Sequence, residues 1–433
     1  MTNEQKVTWL ASFSHFITHG YMTLLPAVLV VIAAEHSMSF LDIGIIANIG
    51  YFLYGLGAFP SGFLADKFGS KRILTVGVFG MAISSILVGL SPGVVSFAVA
   101  YGVLGIFASI HHPAGLSLIA RRVTTSRGKA LGFHGVFGNI GLFMTPMAAA
   151  LSVMIFHTWR AAYLVFGVIG IGFGIVLHMS RLEQEPDFSL RNMLEWPGKL
   201  LENKKDKVEK EVQTSETFEE SGGISETAMT VIPVALLVLF VGSILSGFIF
   251  RGSLTFFPAL LQREIYFITS HDEPVVVAGF VTTAILSMGL IGSWFGGYLS
   301  DKIKVPELFP IAIFIIVAPA LYGISRFTDS KLLATGCLFS LVYYAWQPSH
   351  NFLIAKYTKK TSQGMGFGVN FFLIFGMGSI ATAVGGYVAD DYGVDRFYWI
   401  MAIVAFCAML VAVMVLAVRR YQFRFNWKVV KED

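Results

Sequence analysis

Cysteine is nearly missing from this chain. Its 433 residues hold only Cys337 and Cys407, both inside apolar runs, which excludes a disulfide framework or a cysteine-built metal cluster. Charge is scarce as well, at 13% of residues against 55% hydrophobic. Soluble domains carry about 25% charged residues, so a soluble protein is excluded. The net charge is only +4, and the basic residues flank apolar segments instead of covering one face, so no nucleic-acid partner is expected. There is no Ser/His/Asp or Cys/His arrangement, no metal-ligand spacing, no phosphate-binding loop and no nucleotide-binding domain. An enzyme and an ATP-driven pump are therefore not expected, nor is a cofactor or a bound metal. Carboxylates are also lacking in the middle of the apolar segments.

What the chain does have is long apolar runs. A helix crossing a bilayer needs about 20 mostly apolar residues, and twelve segments qualify, at approximately 7–33, 43–65, 73–91, 95–119, 130–156, 160–179, 229–261, 275–299, 308–326, 331–355, 364–389 and 396–420. The predicted fold is an all-α integral membrane protein with twelve spans. The first run is too long for a cleaved signal peptide and lacks a small-residue cleavage site, so it is expected to stay as span 1. Lys67, Lys71, Arg72, Arg121, Arg122, Arg127, Lys129, Lys302, Lys304, Lys356, Lys359 and Lys360 fall in one set of alternate loops, against Arg160, Arg263, Arg326, Lys331 and Arg396 in the other. By the positive-inside rule the richer loops and both termini are cytoplasmic.

The chain also repeats itself. Gly62-Phe63-Leu64-Ala65-Asp66-Lys67-Phe68-Gly69-Ser70-Lys71-Arg72 lies between spans 2 and 3, and Gly297-Tyr298-Leu299-Ser300-Asp301-Lys302 follows span 8 with the same Gly-x-Leu-x-Asp-Lys core. At nearly the same offset, span 1 matches span 7 (Gly20 with Gly252, Thr23 with Thr255, Pro26 with Pro258) and span 4 matches span 10 (Pro113 with Pro348, Arg121 with Lys356). In this register His19 meets Arg251 and His134 meets Asn370. Such duplication predicts two pseudo-symmetric six-helix halves, residues 1–180 and 229–433, joined by a charged cytoplasmic linker at 181–228. The linker's composition is that of a mobile tether; one short amphipathic helix at the lipid interface, built on Met193, Trp196, Leu200 and Leu201, is the alternative.

These features resemble the major facilitator superfamily over essentially the whole length. The Gly62 to Arg72 loop is similar to that family's signature between helices 2 and 3, and the Gly297 copy stands where its degraded partner belongs. Ser14-His15, His112-Pro113 and Gly138-Asn139-Ile140-Gly141 followed by Pro146 further resemble the fosmidomycin-resistance branch of exporters. That branch commonly has an acidic residue near the position of His19 and a glutamate where Ala114 stands here. The superfamily resemblance implies a secondary transporter working by alternating access, with its site between the halves near the membrane midplane.

A charge at mid-span costs roughly 2.5–3.5 kcal/mol on insertion scales, so it usually faces inward and is functional. Arg251 is such a charge, expected to present its donor fork to an anionic substrate; a snorkelling arginine is the alternative. His15 and His19, four apart, share one helix face and join His112 as polar partners and proton-coupling candidates. His134, Asn139, Tyr51, Tyr343, Gln347 and Asn370 complete the expected substrate-binding set, although polar groups in spans also serve as helix-to-helix glue. The loop residues Gly62, Asp66, Lys67, Gly69, Lys71, Arg72, Arg121, Asp301 and Lys302 are expected to form a conformational latch. In it each aspartate caps the positive N-terminus of a helix from the opposite half; the resemblance puts Asp66 near Gly364 and Asp301 near Gly128.

The function expected first is proton-coupled efflux of a small organic anion or anionic drug by a monomeric, multi-pass protein of a bacterial inner membrane. The alternatives are an uptake permease for a carboxylate or phosphorylated metabolite, and a transporter-like sensor without flux.

Overall fold

The computed structural model describes residues 1–124, 127–182, 226–358 and 363–432; within them, side chains are described except at Asp66, 127–128, 226–233, Asp301, 363–365 and 422–432. The linker expectation, including its amphipathic helix, lies outside the described residues, as do Lys359 and Lys360.

All the regular secondary structure among the described residues is helical. Spans 1 to 6 run Asn3–His36, Phe40–Phe68, Ser70–Gly89, Val94–Ala108 continued by His111–Arg122, Arg127–Phe156 and Arg160–Met179. Spans 7 to 9 are Glu226–Glu264, Pro274–Lys302 and Leu308–Ile324. Span 10 is Asp329–Tyr343 continued by Trp346–Tyr357, span 11 covers Gln363 to Tyr392 in pieces, and span 12 is Val394–Glu432. Ten of these helices have the length and apolarity to cross a membrane, and Leu308–Ile324 is a shorter apolar one; span 10 is divided between two short helices.

Local chemistry explains the ends and breaks. Thr2 with Gln5, and Ser39 with Asp42, form capping boxes at spans 1 and 2, satisfying backbone N–H groups that would otherwise be orphaned. Gly69 joins spans 2 and 3 at φ 91°, a conformation that a side chain would strain. Spans 4 and 10 break at Ser109–Ile110 and Tyr344–Ala345. Pro113 and Pro348 follow each break by about one turn, where a ring without an N–H leaves a carbonyl unbonded and clashes with it. Span 11 has no proline at its irregular part; there a π-helical turn, Phe372–Gly376, leads into a 3-10 turn, Met377–Ser379.

Within the first half, span 1 packs on span 5 and span 3 on span 6; within the second, spans 7 and 9 pack on span 12. Across the halves, span 2 lies against span 11 and span 5 against span 8. The outer surface carries large apolar side chains such as Val95, Val99, Leu237 and Trp294, as lipid contact requires. The polar side chains His111, Ser243, Arg251 and Asn370 are buried.

The two faces of the molecule differ. Away from the termini the halves touch backbone to backbone: a Cβ at Gly44 would run into the Thr382 carbonyl, and one at Gly386 into the Phe40 carbonyl. The hydroxyl of Thr382 donates to the Gly44 carbonyl oxygen at 2.9 Å. The backbone N–H groups of Phe40 and Leu41 donate to the two carboxylate oxygens of Asp390, at 2.9 and 2.7 Å. Toward the termini the halves part, and Gly132, Gly135, Gly297 and Gly368 have open space at the Cβ position.

Candidate functional site: a histidine-lined cavity beside a caged arginine

Between the halves lies a cavity of about 1000 Å³. Its wall includes His15, His19, His112, His134 and Asn139 from the first half and Tyr343, Gln347 and Asn351 from the second, with Phe250, Phe371 and Phe375 as apolar facing. Gly62, Leu131 and Gly368 also line it, so it extends toward the face where the halves are apart.

Span 1 turns His15 and His19 to the same side, and their Nε2 atoms approach to 3.0 Å. His15 Nδ1 is 2.8 Å from the His134 carbonyl oxygen. A carbonyl only accepts, so this nitrogen carries the proton and leaves Nε2 with the lone pair; His19 then donates from its own Nε2. His111 enters the group from span 4, 2.9 Å from the Ser14 hydroxyl through Nδ1. The His15 ring stacks on His134 and His111 at centroid distances of 4.2 and 4.9 Å. His112 lies edge-on to His15 at 5.0 Å and stacks on Phe371 at 5.3 Å. Five imidazoles thus share one cluster, four of them lining the cavity. Nε2 of His111, His112 and His134 has no hydrogen-bond partner among the described residues.

Arg251 stands behind the wall. It is 2% exposed, and its guanidinium lies 4.1 Å over the Tyr51 ring, 5.1 Å from Phe375, 5.2 Å from Phe250 and 5.6 Å from Tyr54. Its Nε has no hydrogen-bond partner among the described residues. A desolvated cation–π contact is worth about 2 kcal/mol, comparable to the roughly 2.5–3.5 kcal/mol that a mid-span arginine costs. The cage therefore makes the burial tolerable without supplying an anion. Phe250 and Phe375 belong both to the cage and to the cavity wall, so two rings separate the cation from the open space.

The other expected residues divide. Tyr343 lines the cavity with its hydroxyl tied to the Ser246 carbonyl oxygen at 2.6 Å, and Asn139 donates to Ser293 Oγ across the halves at 3.3 Å. Gln347 faces the cavity. Tyr51 is buried under Arg251 and donates to the Met22 carbonyl oxygen at 2.9 Å. Asn370 is turned away, accepting from Ser243 at 2.7 Å and lying 3.1 Å from His350 Nε2. Tyr343, Gln347 and His350 stand four and seven residues apart, the spacing of one polar helical stripe, and of the three His350 faces this network instead of the cavity. Sequence reasoning missed His111 as a cluster member, Ser293 and Asn351 as wall residues, and Asp390 as a capping carboxylate. The repeat could not have found Asp390, because its mate falls on Met154.

In the expected latch, Lys71 donates to the His178 carbonyl oxygen at 3.2 Å, Lys67 lies 5.1 Å from the Phe68 ring and Lys302 5.9 Å from the Tyr298 ring. The side chains of Asp66 and Asp301, and of their expected partners Gly364 and Gly128, lie outside the described residues.

Two six-span halves packed through spans 2 and 11 and spans 5 and 8, with a central cavity open to one face, define a membrane carrier. The sequence profile of the Major Facilitator Superfamily matches residues 10–382 and 239–426, and the chain belongs to that family. It is 23% identical over 357 residues to a probable hexose phosphate transport protein of Chlamydia pneumoniae, covering 78% of this chain and 69% of that one. It is 23% identical over 388 residues to a D-galactonate transporter of Escherichia coli O6:H1, covering 84% of each. The membrane sensor protein UhpC of Escherichia coli K12 matches at 22% over 353 residues, covering 78% and 74%. In fold, the chain superposes with a TM-score of 0.76 and 14% identity on a bacterial homolog of the human lysosomal transporter Spinster, covering 96% of this chain and 98% of that one. It superposes with a TM-score of 0.69 and 13% identity on the xylose transporter XylE of E. coli, covering 95% and 96%.

Proposed function

We propose that the protein is an uptake permease for a small organic anion, of the sugar-acid or sugar-phosphate kind, working by alternating access. The observation that carries this reading is Arg251: a buried cation caged by aromatic rings, with an Nε that nothing among the described residues satisfies, next to a cavity whose lining includes four histidines. An anion that moves Phe250 and Phe375 aside gains the donor fork of a guanidinium in a low-dielectric site, where charge-assisted bonds are strongest. The names of the relatives favour uptake over the export that the histidine and glycine motifs suggested first; those relatives are named for hexose phosphate and for galactonate.

The face carrying the termini is read as cytoplasmic, with the protein acting as a monomer in a bacterial inner membrane. The state described is then inward-open, closed outside by spans 2 and 11 and by spans 5 and 8. A proton enters with the anion at the histidines: His15 Nε2 has its lone pair turned to the His19 N–H, and a proton arriving there gives the cavity a second positive charge.

Uptake of D-galactonate and of a hexose phosphate into proteoliposomes with an imposed pH gradient tests the proposal. Arg251→Ala is expected to lower kcat/KM by about 10- to 100-fold, the loss of a charge-assisted hydrogen bond worth roughly 1.5–3 kcal/mol. Normal anion uptake by Arg251→Ala would refute the anchor. Binding by the parent without flux would favour the sensor reading that the UhpC relative suggests.

A further inference from the structure

We propose that His15, His19 and His112 form a binding site for a divalent transition-metal ion of the zinc type, with one coordination position left open to the cavity. Imidazole nitrogen suits such ions, in contrast to magnesium or calcium, which prefer oxygen. Three protein ligands and one open position are the usual plan of a zinc site that meets a substrate.

The geometry supports it in three ways. One ligand atom from each of the three histidines lies within 4.8 Å of the other two. Zn–N bonds of about 2.0–2.1 Å in a tetrahedron draw nitrogens to roughly 3.3 Å apart, a movement within reach of ring rotation. The His15–His19 pair, at 3.0 Å, is already that close.

His15 has the outer contact that ligating histidines have, and the other two rings have a nitrogen free to ligate or able to become so. His15 gives its Nδ1–H to the His134 carbonyl oxygen at 2.8 Å, the outer contact that fixes the tautomer and orients Nε2 toward an ion. His112 is stacked on Phe371 and Phe375 at 5.3 and 5.8 Å, with Nε2 unpartnered among the described residues. His19 becomes a ligand by carrying its proton on Nδ1 in place of Nε2, with no change of charge.

Finally, there is a way in. All three residues line the cavity. The overlapping group His15, His111 and His134 is less accessible, because His111 is fully buried and does not line it.

Two consequences distinguish this site from a plain proton relay. An ion near the Arg251 cage adds positive charge to a site without a lining carboxylate, so an anion on the open position and the metal strengthen one another's binding. The nitrogens that hold the metal are also those that take the proton in the proposed cycle, so metal and proton exclude each other. Only these two consequences rest on the anion-uptake reading; the metal site stands on the histidines alone.

The test is a cobalt titration of the purified full-length chain in detergent after chelator stripping, because four-coordinate Co²⁺ absorbs visibly. One equivalent is expected to bind. His19→Ala and His112→Ala should each weaken binding by at least about ten-fold, while His350→Ala, which alters the Ser243–Asn370 network instead, should leave it intact. Monodisperse elution and thermal unfolding check that the variants are folded. Failure of the folded, transport-competent parent to bind Co²⁺ would overturn the proposal, as would unchanged binding in both cluster variants. If cobalt binds through the three histidines but neither D-galactonate nor a hexose phosphate moves the spectrum, the metal site stands and the anion reading of the cavity falls.

Discussion

The two halves place different chemistry at matched positions. His19 in span 1 answers to Arg251 in span 7, His112 to Gln347, and His134 to Asn370. Spans 4 and 10 break at the same place ahead of Pro113 and Pro348. On this shared backbone the first half gathers five imidazoles, four of them on the cavity wall. The second half holds one permanent cation behind that wall, and it ties Asn370, His350 and Ser243 into a buried polar network that reaches the wall through Asn351. Duplication has preserved the frame while the charges have been divided. The arginine remains charged at any working pH, whereas an imidazole offers a nitrogen lone pair that can hold a proton or, in the site proposed above, a metal ion. In the proposed cycle the guanidinium is the fixed attraction for the anion, and the histidine cluster is the adjustable one that can be withdrawn for release.

The largest expected effect comes from erasing this difference. Arg251→His puts a titratable group where the permanent one stands. Uptake should fall about 10- to 100-fold at alkaline pH and recover as the pH is lowered and the new imidazole becomes charged. Initial rates across a pH series check this; a loss that is the same at every pH would show that the guanidinium geometry matters, and not its charge.

A smaller effect concerns the network in the second half. Asn370→Leu removes the amide shared by Ser243, His350 and Asn351, while Ser243 keeps the Leu239 carbonyl oxygen, and should destabilise the protein by about 1 kcal/mol, the net worth of a buried hydrogen bond. It should leave the KM for the anion nearly unchanged. Thermal unfolding and transport measured on one preparation separate the two roles. A raised KM with unchanged stability would move Asn370 back among the substrate-binding residues, where its pairing with His134 placed it.

The smallest effect falls at the faces. Asp390→Asn weakens the cap that span 11 places on the N-terminus of span 2, worth about 1 kcal/mol at most for an exposed helix end. That is roughly a five-fold change in the balance of states, toward opening on the face away from the termini. Asp66→Asn should shift it the other way, toward the state open on the terminal face. Labelling rates of cysteines placed on each side report both, and equal shifts in one direction would remove the idea of opposed latches.

Much of this was legible in the sequence, and the reasons are specific. Lipid demands long apolar helices, so spans 1 to 8 and 11 to 12 announced themselves by composition. Span 9 was found as well, although Leu308–Ile324 is short, because its flanking loops are polar. The capping logic was legible as a principle: a carboxylate from one half on a helix N-terminus of the other. The structure shows that arrangement at Asp390, on the opposite face from the two aspartates that the repeat had singled out. Helical spacing brought His15 and His19 together, since four residues make about one turn, but it could not tell that Gln347 faces the cavity while His350 is held by Ser243 and Asn370 from two other spans.

Sequence by itself determined that the chain is a duplicated, membrane-spanning helical carrier, with a cation in span 7 and histidines in spans 1, 4 and 5. Those facts follow from local length, polarity and repetition, which need no third dimension. Only the tertiary structure decided that the histidines meet in one cluster, that Arg251 stands behind two phenylalanines instead of facing the cavity, and that the halves are closed on one face and parted on the other. Each of these depends on contacts between residues roughly a hundred or more positions apart in the chain, and the period of one span marks the face it buries without saying which helix will cover that face.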